Sequence, residues 1–464
     1  MLIKYIVKNF RSFKDETTFS FISGRGTIMK EHKLQPVKGI SVLKTAIVFG
    51  ANASGKSNLV KAIAFGKDLL LREKQADTVI DYQPYMLDDD SAISDSEMIY
   101  DIQTNRKNYS YGFIFNRYMI IEEWLIEKSK RGTDQSIFSL KRNKETKEIT
   151  FNFDYLKKKN TKEESRQFIQ FIAKATPKNR LFLHEVLTRN MSQNVEHIED
   201  LLAIINWFEQ TLQIILPDET YKMGFTLKAA GSDDLRYAYS ALLKYFDTGI
   251  ETINLVDVDF DKILLPPELA RTIRRSILQK EETEKFGSLS FNGELFLVSS
   301  ENGLVKAQKL MTVHNADSSD KKVPFDLNNE SDGTLRLLDY IPLIIDLMMG
   351  NKVFIVDEME RSLHPNLMKN LIELFTNLSE GINSQLILTT HESTLMTQEL
   401  FRKDEIWFVQ KDHGHSSLVS LDNYHERFDK DIRTEYLKGT YKGVPNMGNI
   451  EPVRDLFKKK SRAN

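Results

Sequence analysis

Hydrophobic and polar positions along the chain change period several times, and each period predicts an element. Residues 2–8 and 17–22 alternate as half-buried strands do, whereas 45–49 is a nearly unbroken apolar run that ends in a glycine-rich turn. Leu59, Val60, Ile63 and Leu70 follow at helical spacing and predict a helix over about 57–71. From 98 to 142 the pattern becomes alternating and aromatic-rich, with runs at 98–102, 109–115, 118–126 and 137–140 that predict an antiparallel meander. Residues 155–215 read as mostly helical, with Phe168, Phe171 and Ile172 on one face and Leu201, Ile204, Ile205 and Phe208 on another. Strands are expected again over 222–229, 252–258, 288–299 and 303–313. An apolar helix over 334–349 carries Pro342 inside it and should kink there. A buried strand (353–356), a helix (366–378) and strands at 385–389 and 405–409 complete the pattern. There is no internal repeat and no heptad run long enough for a coiled-coil arm.

Composition narrows this picture. The chain has 464 residues, 41% of them hydrophobic, enough for one large or two ordinary domains with a sizeable core. A formal net charge of −2 gives no global pull towards nucleic acid. The basic runs Lys157–Lys159 and Lys458–Lys460 lie beside acidic or flexible sequence and read as solvated face and tail. The absence of cysteine excludes disulfides, thiolate metal sites and cysteine nucleophiles. The start alternates as a strand and lacks the apolar core of a signal peptide, and no apolar run reaches the ~20 residues of a membrane span. A cytoplasmic protein with no membrane partner is expected.

The strongest chemical signal is Gly50-Ala51-Asn52-Ala53-Ser54-Gly55-Lys56-Ser57, a complete GxxxxGK[ST] between a buried strand and a helix. Glycines let the backbone turn so that its N–H groups face phosphate, and the helix N-terminus adds partial positive charge. Lys56 is expected to reach the β- and γ-phosphates, and the Ser57 hydroxyl to ligate Mg²⁺. Asn52, Ala53, Ser54 and Asn58 complete the expected cradle. The partner of such a loop is an apolar strand ending in a carboxylate, and Val353-Phe354-Ile355-Val356-Asp357-Glu358 has that form. Asp357 then emerges at the strand end to hold the metal, and Glu358, pointing the other way, can polarise water. Two surface acids after an ordinary strand is the bland alternative, and the phosphate loop weighs against it.

The two motifs stand far apart, at 50–57 and 353–358, with the meander and the helical stretch between them. That spacing suits an ABC- or SMC-type head better than a small GTPase-like fold. Glu330-Ser331-Asp332-Gly333-Thr334 opens the apolar helix where such heads carry a signature, and Thr389-Thr390-His391 ends the next strand where they carry a switch histidine. Glu360-Arg361-Ser362-Leu363-His364-Pro365 occupies the place of a dimer-contact loop. Alone, a Ser-Asp-Gly-Thr is commonly a helix cap and a single histidine is commonly structural. Their order is the argument.

With these residues in view, the chain resembles the AAA15/AAA21-type ATPases related to OLD, RecF and Rad50 heads, particularly the RloA and AbiLi abortive-infection group. The likeness is carried by Asn9-Phe10-Arg11-Ser12-Phe13, the phosphate loop, Tyr82-Gln83-Pro84-Tyr85-Met86-Leu87, the segment 330–337, Val356-Asp357-Glu358 and Leu388-Thr389-Thr390-His391-Glu392-Ser393. A tail over 436–445 also resembles that group, with Tyr441-Lys442-Gly443 where the group has Tyr-Gly. The resemblance implies that Arg11 lies near the nucleotide, that Gln83 ligates Mg²⁺, and that His391 contacts the γ-phosphate. It also implies that Ser331 and Gly333 meet the γ-phosphate bound by an opposite subunit. Asp332 and Thr334 replace the second glycine and the glutamine of the transporter signature, which argues against a transporter.

The expected architecture is therefore an α/β P-loop NTPase of ABC/SMC-head type with an antiparallel β subdomain and a helical insertion. Residues 1–150 form lobe I, 151–285 a mainly helical, dimer-proximal insertion, 286–411 lobe II, and 412–464 a C-terminal segment. The expected function is ATP hydrolysis with Mg²⁺ in a homodimer, and possible higher oligomers, sandwiching ATP, as the sensor of a phage-defence system controlling a separate nuclease or toxin effector. Asp88-Asp89-Asp90 lacks partners at metal-ligand spacing and reads as a surface loop, so no nuclease site is expected in this chain. A RecF/Rad50-like repair ATPase binding DNA directly is the alternative, which the near-neutral charge disfavours; an ATP-binding scaffold without turnover is a third.

Overall fold

In the computed structural model, the described residues are all but 25, 27, 38, 39, 130, 131, 160, 190, 192–194, 220–231, 280–285, 318–320, 425–430, 445–449, 452, 453 and 455–464. The expected strand over 222–229, the Lys458–Lys460 run and the last residue of the 436–445 tail lie outside them.

The chain opens with β1 (Leu2–Lys8), β2 (Thr17–Ser20), a small hairpin of β3 (Lys33–Val37) and β4 (Ile40–Leu43), and then β5 (Thr45–Phe49) and α1 (Lys56–Leu71). The short α2 (Asp89–Ile93) leads into β6 (Ser96–Thr104), β7 (Lys107–Phe115), β8 (Ile120–Lys128), β9 (Gln135–Arg142) and β10 (Ile149–Asn152). Next come α3 (Asp154–Lys158), α4 (Glu163–Ala175), α5 (Phe182–Thr188), α6 (Glu199–Asn206), β11 (Leu212–Ile215) and α7 (Asp233–Tyr245). They are followed by β12 (Ile250–Val258), α8 (Pro267–Gln279), β13 (Phe286–Phe291), β14 (Glu294–Glu301), β15 (Leu304–Asn315) and β16 (Lys322–Asp326). The last part holds α9 (Asp332–Met349), β17 (Val353–Val356), α10 (Pro365–Leu378), β18 (Gln385–Thr390), β19 (Ile406–Asp412), β20 (His415–Ser420) and α11 (Ile432–Leu437).

Among the described residues the strands form three main sheets. The core sheet runs β11-β17-β18-β5-β19-β20, parallel except for the final hairpin pair. β5, β17 and β18 are buried at every residue, which is why 46–49, 353–356 and 386–388 are unbroken apolar runs. Alternate side chains of β5 feed two cores. Ala46 and Val48 pack with Leu59, Ile63, Tyr100 and Phe208, while Ile47 and Phe49 pack with Leu337, Tyr340, Leu371 and Phe375. The first core is roofed by the seven-stranded sheet β10-β9-β8-β7-β6-β1-β2, with α1 between the layers. Gly66 of α1 allows that approach: a Cβ there would lie 2.1 Å from the Tyr100 hydroxyl, which donates to Ile63 O at 3.0 Å. The third sheet, β12-β15-β14-β13 with β16 beside β15, packs under α7 and α9. The fold class is thus mixed α/β, with antiparallel sheets and helical insertions around a parallel core.

Several elements depart from the sequence reading. The expected strand over 288–299 is two strands, because Asn292 and Gly293 take φ of 50° and 76° and turn the chain into a β13–β14 hairpin. The stretch read as mostly helical ends in β11, which joins the core sheet beside β17. Asp88 caps α2 by accepting the Ser91 N–H, so Asp88-Asp89-Asp90 starts a helix and is not a loop. The helix expected over 334–349 is present as α9, with Pro342 inside it. Among the described residues no helix is long and apolar enough to cross a membrane.

Candidate nucleotide-binding site

The loop Gly50–Ser57 leaves the C-terminal end of the central strand β5. Gly55 takes φ 119°, and a Cβ there would lie 2.4 Å from Ser416 Oγ and 2.8 Å from Ser12 Oγ; only glycine fits. Ala53 is also left-handed, at φ 61°. The loop is clamped from outside. Ser416 Oγ donates to Ser54 O at 2.5 Å, its N–H to Ser12 O at 2.7 Å, and Lys411 Nζ to Ala53 O at 3.1 Å. Asn58 Nδ2 donates to Ser12 Oγ at 2.9 Å. Asn52 and Ala53 stand exposed at the tip, while Ser54, Gly55 and Lys56 are buried. Leu59 N–H is bonded to Gly55 O at 3.0 Å, so the first turn of α1 keeps the free N–H groups of a helix start.

Lys56 is 4% exposed, and its ammonium donates to Gly50 O at 2.7 Å and Ala51 O at 3.2 Å. It also lies 3.0 Å from Nδ1 of His391. Burial lowers its pKa to about 8, while the carboxylates of Glu360, Asp357 and Glu358 oppose the shift.

Opposite the loop, Asp357 follows β17 and is fully buried. Its Oδ1 accepts the Thr389 hydroxyl at 2.5 Å, and its Oδ2 has no partner among the described residues. Thr389, near the end of β18, also accepts the Glu358 N–H at 3.0 Å. Glu358 is held in the left-handed region, at φ 51°, an unusual conformation for a glutamate. Its carboxylate stands 3.9 Å from Nε2 of His391, and both side chains are about one-third exposed. Lys56, Asp357, Glu358 and His391 therefore converge where β5, β17 and β18 end.

The other expected residues lie further out. Arg11, at φ 51°, donates its N–H to Gln83 O at 2.8 Å, so these two segments touch through the backbone. The Gln83 side chain is exposed and no hydrogen bond joins it to Ser57 or Asp357. Ser331 caps α9, its Oγ accepting the Thr334 N–H at 3.1 Å and pairing with the Thr334 hydroxyl at 2.9 Å. Gly333 sits against the 360–365 loop, where a Cβ would come 3.1 Å from Ser362 O. Among the described residues neither Ser331 nor Gly333 is bonded to the phosphate loop. Ser12, Thr389, Lys411 and Ser416 were not singled out by residue type. Ser12 and Thr389 lie within Asn9–Phe13 and Leu388–Ser393, motifs already visible in the sequence; Lys411 and Ser416 belong to a distant hairpin that carries no recognisable spacing. Among the described residues no three His, Asp or Glu side chains gather as a metal cluster.

A family model described as "AAA domain, putative AbiEii toxin, Type IV TA system" matches residues 46–174 and 218–397, more than half of the chain. The chain belongs to this AAA_21 family. The matched segments contain the phosphate loop, Asp357, Glu358 and His391, and the membership supports nucleotide binding and hydrolysis as the general activity. No curated protein matches. Among solved structures the chain is similar to an SMC head bound to the C-winged helix domain of ScpA, at 12% identity and TM-score 0.41, over 90% of this chain and 97% of that one. It is similar to the SMC head domain from Thermotoga maritima, at 14% identity and TM-score 0.35, over 90% and 98%. A Pyrococcus furiosus Smc head with an extended coiled coil, bound to the C-terminal domain of ScpA, gives 14% identity and TM-score 0.35 over 95% and 99%.

Proposed function

We propose that this AAA_21 protein binds Mg²⁺·ATP on the Gly50–Asn58 loop and hydrolyses it between two copies of the chain. The observation that carries the reading is the convergence of buried Lys56 with Asp357, Glu358 and His391 at the ends of three adjacent parallel strands. The unpartnered, buried Oδ2 of Asp357 and the Ser57 hydroxyl are hard oxygen donors that suit Mg²⁺. The metal would neutralise charge on the phosphates. Lys56 would turn from the loop carbonyls to the β- and γ-phosphates, and the N–H groups opening α1 would cradle them. Glu358 would orient the attacking water and take its proton, with His391 at the γ-phosphate. Arg11 and Gln83 border this site in the reading, and Ser331 and Gly333 of a second copy would close it. The division of the chain near residues 150, 285 and 411 into two lobes, an insertion and a C-terminal segment belongs to the same reading.

The biological role we propose is that of the ATP-driven regulator of a phage-defence system, close to the RloA and AbiLi group, acting in the cytoplasm on a separate nuclease or toxin effector. The family's description, which names a toxin and a type IV toxin–antitoxin system, supports defence over repair. A paired experiment tests the chemistry. Lys56→Ala is expected to abolish ATP binding, while Glu358→Gln keeps binding and loses turnover by about 10²-fold or more. Undiminished ATP affinity in Lys56→Ala, or wild-type turnover in Glu358→Gln, would contradict the assignment.

A further inference from the structure

The loop after β17 carries another carboxylate, Glu360, for which the reading above has no use. Its Oε1 accepts the backbone N–H of His391 at 2.6 Å and so ties this loop to the end of β18. Its Oε2 is closed off from solvent and has no hydrogen-bond partner among the described residues. What this contact uses is a single acceptor oxygen, turned to the His391 N–H. Around it the loop is tightly held. Arg361 N–H bonds Glu358 O at 3.1 Å, Leu363 N–H bonds Glu360 O at 3.0 Å, and Met359 N–H bonds Thr389 O at 3.3 Å. His391 is thereby gripped at both ends: its backbone by Glu360, its ring beside the Lys56 ammonium at 3.0 Å. Glu360 is also the foremost carboxylate favouring the charged form of Lys56.

We infer that Glu360 is a positioning residue, which fixes the His391 backbone so that the imidazole stays beside Lys56, within reach of a γ-phosphate and of Glu358. The inference rests on the nucleotide reading above. Glu360 acts through His391 and touches no reacting atom itself. A loose histidine then costs discrimination of ATP from ADP and costs turnover, but leaves the rest of the phosphate loop intact.

The test compares wild-type, Glu360→Ala and Glu360→Gln full-length chains by steady-state hydrolysis and by direct binding of ATP and ADP. Alanine removes the acceptor of the His391 N–H; glutamine keeps it and removes the charge. Glu360→Ala is expected to lower kcat about tenfold or more and to weaken ATP severalfold while ADP affinity stays unchanged. Glu360→Gln should restore kcat to within about threefold of wild type, because the hydrogen bond returns. Glutamine as inactive as alanine would make the charge itself chemical and overturn the inference. So would an alanine variant with wild-type kcat and ATP-to-ADP preference, or one that loses ADP and ATP equally. Failure of the nucleotide reading is separable, since it appears as absent ATP binding in the wild-type chain.

Discussion

Lys56 shows how burial sets chemistry at a single residue. The loop that holds it is packed between α1 and the β19–β20 hairpin, and desolvation brings its ammonium down to about 8. Between that value and 10.5 the unfolded chain binds the proton more tightly than the folded one, so this group's contribution to stability improves as pH rises through the window. Phosphate oxygens favour the charged form, so on the proposed reading ATP binding above pH 8 is accompanied by proton uptake at Lys56. Titration calorimetry at about pH 8.5 in buffers of different ionisation enthalpy should show this uptake, and little at pH 7; a buffer-independent enthalpy at the higher pH would contradict it. Most of this constellation was legible in the sequence. Gly55, Lys56 and Asp357 belong to motifs whose residue types suit phosphate and metal chemistry, and His391 was read from its place in the order of motifs. Ser416 and Lys411 were not legible, because a serine and a lysine in a late hairpin carry no sign of which distant loop they will clamp. Glu358's left-handed backbone and the Glu360–His391 bond are likewise products of tertiary geometry.

At the scale of elements, Glu123 joins the antiparallel sheet to the helical stretch. From β8 its carboxylate accepts the N–H groups of Phe182 at 2.5 Å and Leu183 at 3.2 Å, capping the start of α5 from a neighbouring element, and it accepts the Tyr111 hydroxyl at 3.0 Å. Complete burial pushes this carboxyl up to about 7, against the pull of those three donors. Its favourable contribution is therefore fully present below the ordinary carboxyl value of 4.5 and declines as pH rises towards 7. Glu123→Ala leaves all three donors buried without this acceptor, each at a cost of about 1–3 kcal/mol, and should lower the urea midpoint clearly. Glu123→Gln keeps one acceptor and should fall between. An alanine variant as stable as wild type would show that α5 is held by packing alone. Such a cap is invisible in a linear pattern, as is β11, whose four residues, 212–215, sit at the end of a helical stretch and become a strand only because β17 offers an edge. The long periodic elements, β6 to β9 and α1, were legible because burial on a sheet or helix face leaves its period in the sequence, and β17 was legible as an unbroken apolar run. Asn292-Gly293 was a readable hairpin signal that the apolar flanks concealed.

At the scale of the whole molecule, the parallel core gathers Lys56, Asp357, Glu358 and His391 in one chain, but not Ser331 or Gly333. Ser331 is exposed at the start of α9, its hydroxyl bonded to Thr334 of the same helix, and Gly333 faces the 360–365 loop. The order of motifs along the chain was legible; whether one chain completes the site is a question of assembly, which no sequence period encodes. On the proposed reading the start of α9 completes the site of a second copy. Ser331→Arg should then leave ATP binding by the single chain nearly unchanged and lower hydrolysis about 10²–10³-fold, as loss of an aligned donor does. Mixing it with Lys56→Ala sharpens the outcome. In a mixed dimer one composite site lacks both Lys56 and Ser331, whereas the other keeps both, so activity should return from two inactive proteins. If Ser331 only caps α9, its replacement costs ~1 kcal/mol of local stability and leaves hydrolysis normal. A well-folded Ser331→Arg chain hydrolysing ATP at the wild-type rate on its own would exclude the shared site, whatever the mixture does. Where the variant is inactive alone, recovery in the mixture separates a shared site from simple damage to α9, because damage within one chain cannot be repaired by a partner lacking Lys56.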